Sequence, residues 1–163
     1  MTQDAHFLGS DIPYSSCTAC WSTCSAVCKV DGDYLHGNGR IDINGHNYEK
    51  GIVQHANGHA YFNLGRMYSN FSACIGISKY SNNPKCGVTI GDARFRVSGD
   101  NMVLREWEVK SSPEDPTCFE INVLDVDLLI LEVEDNGSKN CDFSTWADAK
   151  VIKSNEFSCP TFN

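Results

Sequence analysis

His55 and His59 stand four apart in "YEKGIVQHANGHAYFNL", residues 48–64. On a helix that spacing puts two imidazoles on one face, as in helical zinc sites of the HExxH kind. Such a site also needs a glutamate directly after the first histidine, and Ala56 stands there. "NG" at 57–58 is a tight-turn signal, and strand-like runs flank it on both sides. The metalloprotease reading is therefore weak, and His59 reads as an exposed turn residue.

A second concentration of reactive groups is "CTACWSTCSAVC", with Cys17, Cys20, Cys24 and Cys28. Four thiolates in so short a run resemble a zinc or cluster ligand set. Zinc sites, however, split their ligands into two short pairs separated by a longer loop, and the ferredoxin spacing differs from this one. Disulfides to distant cysteines fit better. The chain holds 9 cysteines in all, the others being Cys74, Cys86, Cys118, Cys141 and Cys159. Cys74 and Cys86 could close a local loop over "IGISKYSNNPK"; the sequence leaves the connectivity open, and the odd count leaves one thiol free or paired between chains.

That cysteine density belongs to an oxidising compartment. Sequons at Asn70 ("NFS") and Asn136 ("NGS") agree. The opening "TQDAHFLGSD" has neither the basic start nor the apolar middle of a leader, so we expect an extracellular protein, secreted or at the cell surface, whose leader is absent from this sequence. A net charge of −8 opposes nucleic acid and anionic membrane as partners, and no apolar run is long enough to span a bilayer. No GxSxG, HExxH or phosphate-cradling glycine loop is present, and no acid/base constellation suggests a glycosidase.

The elements that must position these groups are strands. Runs rich in β-branched and aromatic residues recur at 40–43, 51–56, 60–64, 71–78, 87–98, 102–110, 118–124, 128–134 and 146–152, punctuated by Gly, Asn, Asp and Pro. "FRVS" and "REWEV" alternate as half-buried strands do, whereas "VDLLILEV" is nearly continuous, as at a sandwich centre. Many short strands without helical periods predict an all-β fold, an antiparallel β-sandwich, in a single domain over 1–163 with its core at about 7–152. Residues 14–30 are expected to form a cysteine-rich flap stapled to it.

The order "FLGSD", "INGHNYEKGIVQHA", "YFNL", "YSNFSACIGI", "FRVSGDN", "LLILEVEDNG", "TWADAKV" resembles the NPCBM family, also classed as family fifty-one of the carbohydrate-binding modules. The likeness runs from about Phe7 to Val151. It implies a jelly roll of the galactose-binding type, non-catalytic binding of glycans with terminal galactose or N-acetylgalactosamine, attachment to a larger hydrolase and a structural calcium. The four-cysteine segment falls in a loop for which the family offers no counterpart, and Gln54 stands where smaller residues are usual.

A neutral sugar is held by polar side chains on its hydroxyls and an aromatic face on its C–H patch. Residues 48–64 and 134–148 supply such groups. His55 is the first candidate, followed by Gln54, Glu49 and Asn57, although His55 reads equally as a buried ring that pins its loop. Trp146, Trp21 and Tyr80 are candidates for stacking, Trp146 also reading as core, while Trp107 reads as packing. Asp148 matches the family's terminal Asp, so it is the expected calcium ligand, with Asp31 and Asp33 as a second carboxylate cluster. Weak single sites imply an oligomer or a multimodular chain. The rival from another class is a disulfide-rich extracellular adhesion or structural module that binds protein.

Overall fold

A computed structural model of the chain describes residues 4–19, 28–33, 37–78, 91–137 and 142–155. In chain order the strands are β1 (Ala5–Phe7), β2 (Ser16–Ala19), β3 (Cys28–Val30), β4 (Gly32–Asp33), β5 (Gly37–Asn38), β6 (Ile41–Ile43), β7 (His46–Tyr48) and β8 (Gly51–His55). They continue with β9 (Gly58–Asn63), β10 (Tyr68–Ile77), β11 (Asp92–Gly99), β12 (Met102–Glu106), β13 (Lys110–Ser111), β14 (Thr117–Asn122), β15 (Leu128–Asp135) and β16 (Phe143–Lys153). The described residues contain no helix long and apolar enough to cross a membrane.

The strands form an antiparallel β-sandwich. One sheet runs β14-β10-β16-β8-β3, with β1 also paired to β16; the other runs β12-β11-β15-β9-β2, with β13 paired to β11. Alternation along each strand sends one row of side chains inward. Phe71, Ile75, Trp146 and Val151 of the first sheet thus meet Phe62, Phe95, Val97, Leu129 and Leu131 of the second. The nearly continuous apolar run at 128–133 lies on β15, the middle strand of its sheet.

The first sheet is covered on its outer face as well. Hairpin β6–β7, turned at Asn44 and Gly45 with φ of 48° and 87°, lays Ile41 and Ile43 on Val53, Phe143 and Ala147. Two positive φ values in succession are what a tight hairpin turn requires, and Asn-Gly supplies them with little strain. Gly76 lets this layer approach, because a Cβ there would lie 2.5 Å from Ile43 Cγ2.

Two disulfides order the described cysteines. Cys17–Cys28 ties β2 of one sheet to β3 of the other, and Cys74–Cys118 joins β10 to β14. Cys17 and Cys28 are thus bonded within the four-cysteine segment rather than to a distant cysteine, and Cys74 is not bonded to Cys86. The expected flap over 14–30 is also only partly a flap, since Ser16–Ala19 and Cys28–Val30 are strands of the sandwich. Cys20, Cys24, Cys86, Cys141 and Cys159 lie outside the described residues.

Candidate functional site

β8 and β9 belong to different sheets, so "HANGH" is a crossing between layers rather than a hairpin. His59 accordingly sits on β9. Its Nε2 lies 3.1 Å from Glu132, its Nδ1 lies 3.4 Å from Thr18 Oγ1, and its ring stacks on Tyr61. Glu132 also holds Arg96, which bonds Glu106 and Glu134 as well.

All of β8 is buried, because the core takes one face and the β6–β7 hairpin the other. Gln54 is fully buried; its Oε1 accepts the Trp146 indole N–H at 2.8 Å, and its Nε2 lies 3.9 Å from Cys17 Sγ. Trp146 is equally buried and meets Phe95 edge-on at 5.1 Å. Neither residue has surface to offer a ligand, which corrects the sequence assignment of Gln54 to a sugar and of Trp146 to stacking. His55 is 3 % exposed, its ring edge-on to Phe143, with Nδ1 2.6 Å from the Ala56 carbonyl. A carbonyl can only accept, so Nδ1 carries the proton. The imidazole pins the crossing.

What the crossing presents is Asn57. Its Nδ2 donates to Asp135 Oδ2 at 2.7 Å and its Oδ1 accepts the Asp135 N–H at 2.9 Å. Asp135 Oδ1 accepts the Gly137 N–H, and Asn136 Nδ2 donates to Asp92 Oδ2 at 3.1 Å. Behind this rim sits Asp142, 1 % exposed, whose Oδ1 accepts the Asp92 N–H at 2.9 Å and whose backbone carbonyl accepts from Ala56. Burial is the main cause that pushes its carboxyl up to about 7; the Asp92 N–H opposes this, while the charges of Asp92 and Asp135 add to it. Asp142 Oδ2 and the buried hydroxyls of Ser78 and Thr145 have no hydrogen-bond partner among the described residues. Gly58 is needed here, as a Cβ would meet the Thr18 and His55 carbonyl oxygens at 2.7 and 2.9 Å.

This end of the sandwich therefore presents two amides and two carboxylates, with no lysine or arginine paired to them among the described residues. Such a set suits ligand hydroxyls and amides and disfavours anions. Asp92 carried no local sequence signal; Asp135, Asn136 and Asp142 lay in the stretch 134–148 that the sequence pointed to.

The remaining sequence candidates lie elsewhere. Glu49 is exposed two residues before β8, whose length alone puts about 13 Å between Gly51 and His55, so it does not join this group. Trp21 and Tyr80 fall outside the described residues, and of Asp33 only the backbone position in β4 is described. Asp31 and Asp148 lie together at the start of β8: Asp31 accepts Lys50 Nζ at 3.1 Å and the Gly51 N–H at 3.1 Å, and Asp148 accepts Lys150 Nζ at 3.2 Å. Among the described residues no three His, Cys, Asp or Glu gather as a metal cage. Two carboxylates already matched by two ammonium groups do not fit a dication.

The NPCBM/NEW2 domain model matches residues 7–152. Comparison with curated proteins gives no match. Among solved structures, the chain is 20% identical to the CBM51-2 and INT domains of Clostridium perfringens ZmpB in complex with GlcNAc (TM-score 0.77), covering 91% of this chain and 31% of that one. It is 20% identical to the CBM51 of C. perfringens GH95 in complex with methyl-galactose (TM-score 0.72), covering 90% and 99%. The tandem CBM51 modules of Sp3GH98, a family 98 glycoside hydrolase from Streptococcus pneumoniae SP3-BS71, match at 17% identity and TM-score 0.78, covering 94% and 48%. At these identities the likeness is one of fold, and the chain spans about a third of the ZmpB fragment.

Proposed function

The chain belongs to the NPCBM/NEW2 family, and on that premise we propose that it is a non-catalytic module that binds glycans ending in galactose or N-acetylgalactosamine at the Asn57–Asp135 end of the sandwich. One observation carries the location: Asn57, Asp135, Asn136 and Asp92 form a hydrogen-bonded rim over a buried acid. In this reading Asn57 and Asn136 bond the sugar hydroxyls or the acetamido group, and His55 positions the Asn57 turn from beneath. Axial and equatorial hydroxyls are distinguished because a buried polar group left unmatched costs ~1–3 kcal/mol. That a CBM51 was solved with methyl-galactose supports this sugar class, and one solved with GlcNAc supports the acetamido contact.

A small wet site of this kind should bind at about 10⁻⁴ M, near −5 kcal/mol. Repetition in an oligomer or a multimodular chain would then supply avidity, outside the cell, where the disulfides persist. Our reading assigns the Asp31–Asp148 corner to two ion pairs rather than to calcium. The adhesion alternative rests on edge strand β12, where Met102, Val103 and Leu104 are exposed. A glycan array with galactose competition separates the two: signals that free galactose abolishes support the lectin, and an empty array beside retained protein binding supports the rival.

A further inference from the structure

"NFS" at 70–72 is an acceptor triplet for N-linked glycosylation, and all three residues lie within β10. Burial alternates along this strand. Phe71, Ala73 and Ile75 face the core between the sheets, whereas Cys74 packs on the outer cluster beneath the β6–β7 hairpin. Side chains two apart on a strand point the same way, so Asn70 and Ser72 share the outer face with Cys74. The fold thus turns the middle residue of the triplet inward and its two reacting positions outward.

Both outward side chains are half-buried at the base, with polar tips that reach solvent. Neither forms a side-chain hydrogen bond among the described residues, and neither holds an enclosed, unpartnered polar atom. On the neighbouring strand β14, Asn122 stands opposite Asn70 and Glu120 opposite Ser72, and both are exposed. Among the described residues the β6–β7 hairpin covers this face only as far as Cys74. The second triplet, "NGS" at 136–138, is placed differently, since Asn136 Nδ2 is held by Asp92 at 3.1 Å within the rim.

We propose that Asn70 is a modification site and carries an N-linked glycan. Its Nδ2 displaces the diphosphate from C1 of a lipid-linked oligosaccharide: the N–C1 bond forms, the C1–O bond breaks, Nδ2 gives up one proton and the lipid diphosphate leaves. Transfer takes place on the entering chain, in the oxidising compartment where a bridge such as Cys74–Cys118 forms. The folded sheet then has only to leave the product room, and the open polar face around Asn70 does. Asn70 stands about 23 Å along β10 from Ile77, which pairs with Ser144 beside the rim, so the glycan and the rim do not compete. Among the described strands β14 is the last of its sheet. A bulky hydrophilic group one strand in from that edge hinders its pairing with another chain.

The test uses the full chain, secreted from mammalian cells behind an added leader and mapped by mass spectrometry. Treatment with peptide N-glycosidase F in heavy-oxygen water converts each glycosylated asparagine to a heavy-labelled aspartate. The expected result is label at Asn70 in most molecules, with an electrophoretic shift that the enzyme removes. Ser72→Ala keeps the asparagine but breaks the triplet, so it should abolish the label there, and Ser72→Thr should retain it. Should Ser72→Ala fail to leave the cell, the wild-type map decides alone. Secreted, disulfide-bonded wild type without label at Asn70, label confined to Asn136, or label at Asn70 that persists in Ser72→Ala would overturn the proposal.

Discussion

Asp142→Asn gives a sharp thermodynamic test of the candidate site. The wild-type carboxyl stands at about 7 in the folded protein against an ordinary 3.8, with burial the leading cause. The folded state thus holds a proton that the unfolded chain releases, so the associated stability is full below pH 3.8 and is lost as pH rises through about 7. About three pH units at ~1.4 kcal/mol each set a ceiling of ~4 kcal/mol; residual hydration lowers this to ~2–4 kcal/mol. For a domain of this size each kcal/mol moves Tm by roughly 2–4 °C, so the wild type should lose roughly 5–15 °C between pH 4.5 and 8. The carboxamide keeps the acceptor for the Asp92 N–H and cannot ionise, so its Tm should stay nearly flat over that window. Scanning calorimetry of both proteins across the range measures the difference directly. Parallel profiles, or a wild-type Tm that rises with pH, would refute the argument that Asp142 is buried and neutral.

Gln54→Leu should lower stability by about 1–3 kcal/mol, read by urea unfolding, because it strands the Trp146 indole N–H in the core. Paired Cys74→Ser and Cys118→Ser substitution should cost about 2–5 kcal/mol by the same assay and leave sugar binding intact, since that bridge lies outside the rim. Chelator should leave Tm unchanged, as Lys50 and Lys150 already match Asp31 and Asp148; a fall of several degrees with calcium found by elemental analysis would restore the ion to that corner.

The sequence made the sandwich legible because two of its strands carry clear patterns: "FRVS" alternates and falls on β11, and the nearly continuous apolar run falls on β15, in the middle of its sheet. "NG" at 44–45 sits at the turn of the β6–β7 hairpin. The same dipeptide at 57–58 misled, since local turn chemistry does not reveal whether the next strand pairs with the last or crosses to the other sheet. β8 misled for a related reason. Its two-sided burial depends on a hairpin folding over the outer face, so Gln54 became a core residue although its type suggested a surface. Strands β1 to β3 are too short to show alternation and were found only by their partners. The candidate rim was half visible: Asn57 and the 134–148 stretch drew notice, but Asp92 gains its role from a neighbour 50 residues away. Trp107 was read as packing, and it does pack, against Phe119.

The most direct test of the central claim is a galactose titration of the wild type and Asn57→Ala, followed by backbone amide shifts and paired with a Tm for each. Asn57 makes two part-buried hydrogen bonds to Asp135, so its loss should cost about 1–2 kcal/mol of stability, a few degrees in a protein that remains folded. The account predicts wild-type shifts at Asn57, Asp92, Asp135 and Asn136 that saturate at a dissociation constant on the order of 10⁻⁴ M, and their absence in the variant. A folded Asn57→Ala protein that binds galactose with wild-type affinity, or wild-type shifts confined to another part of the sandwich, would contradict it.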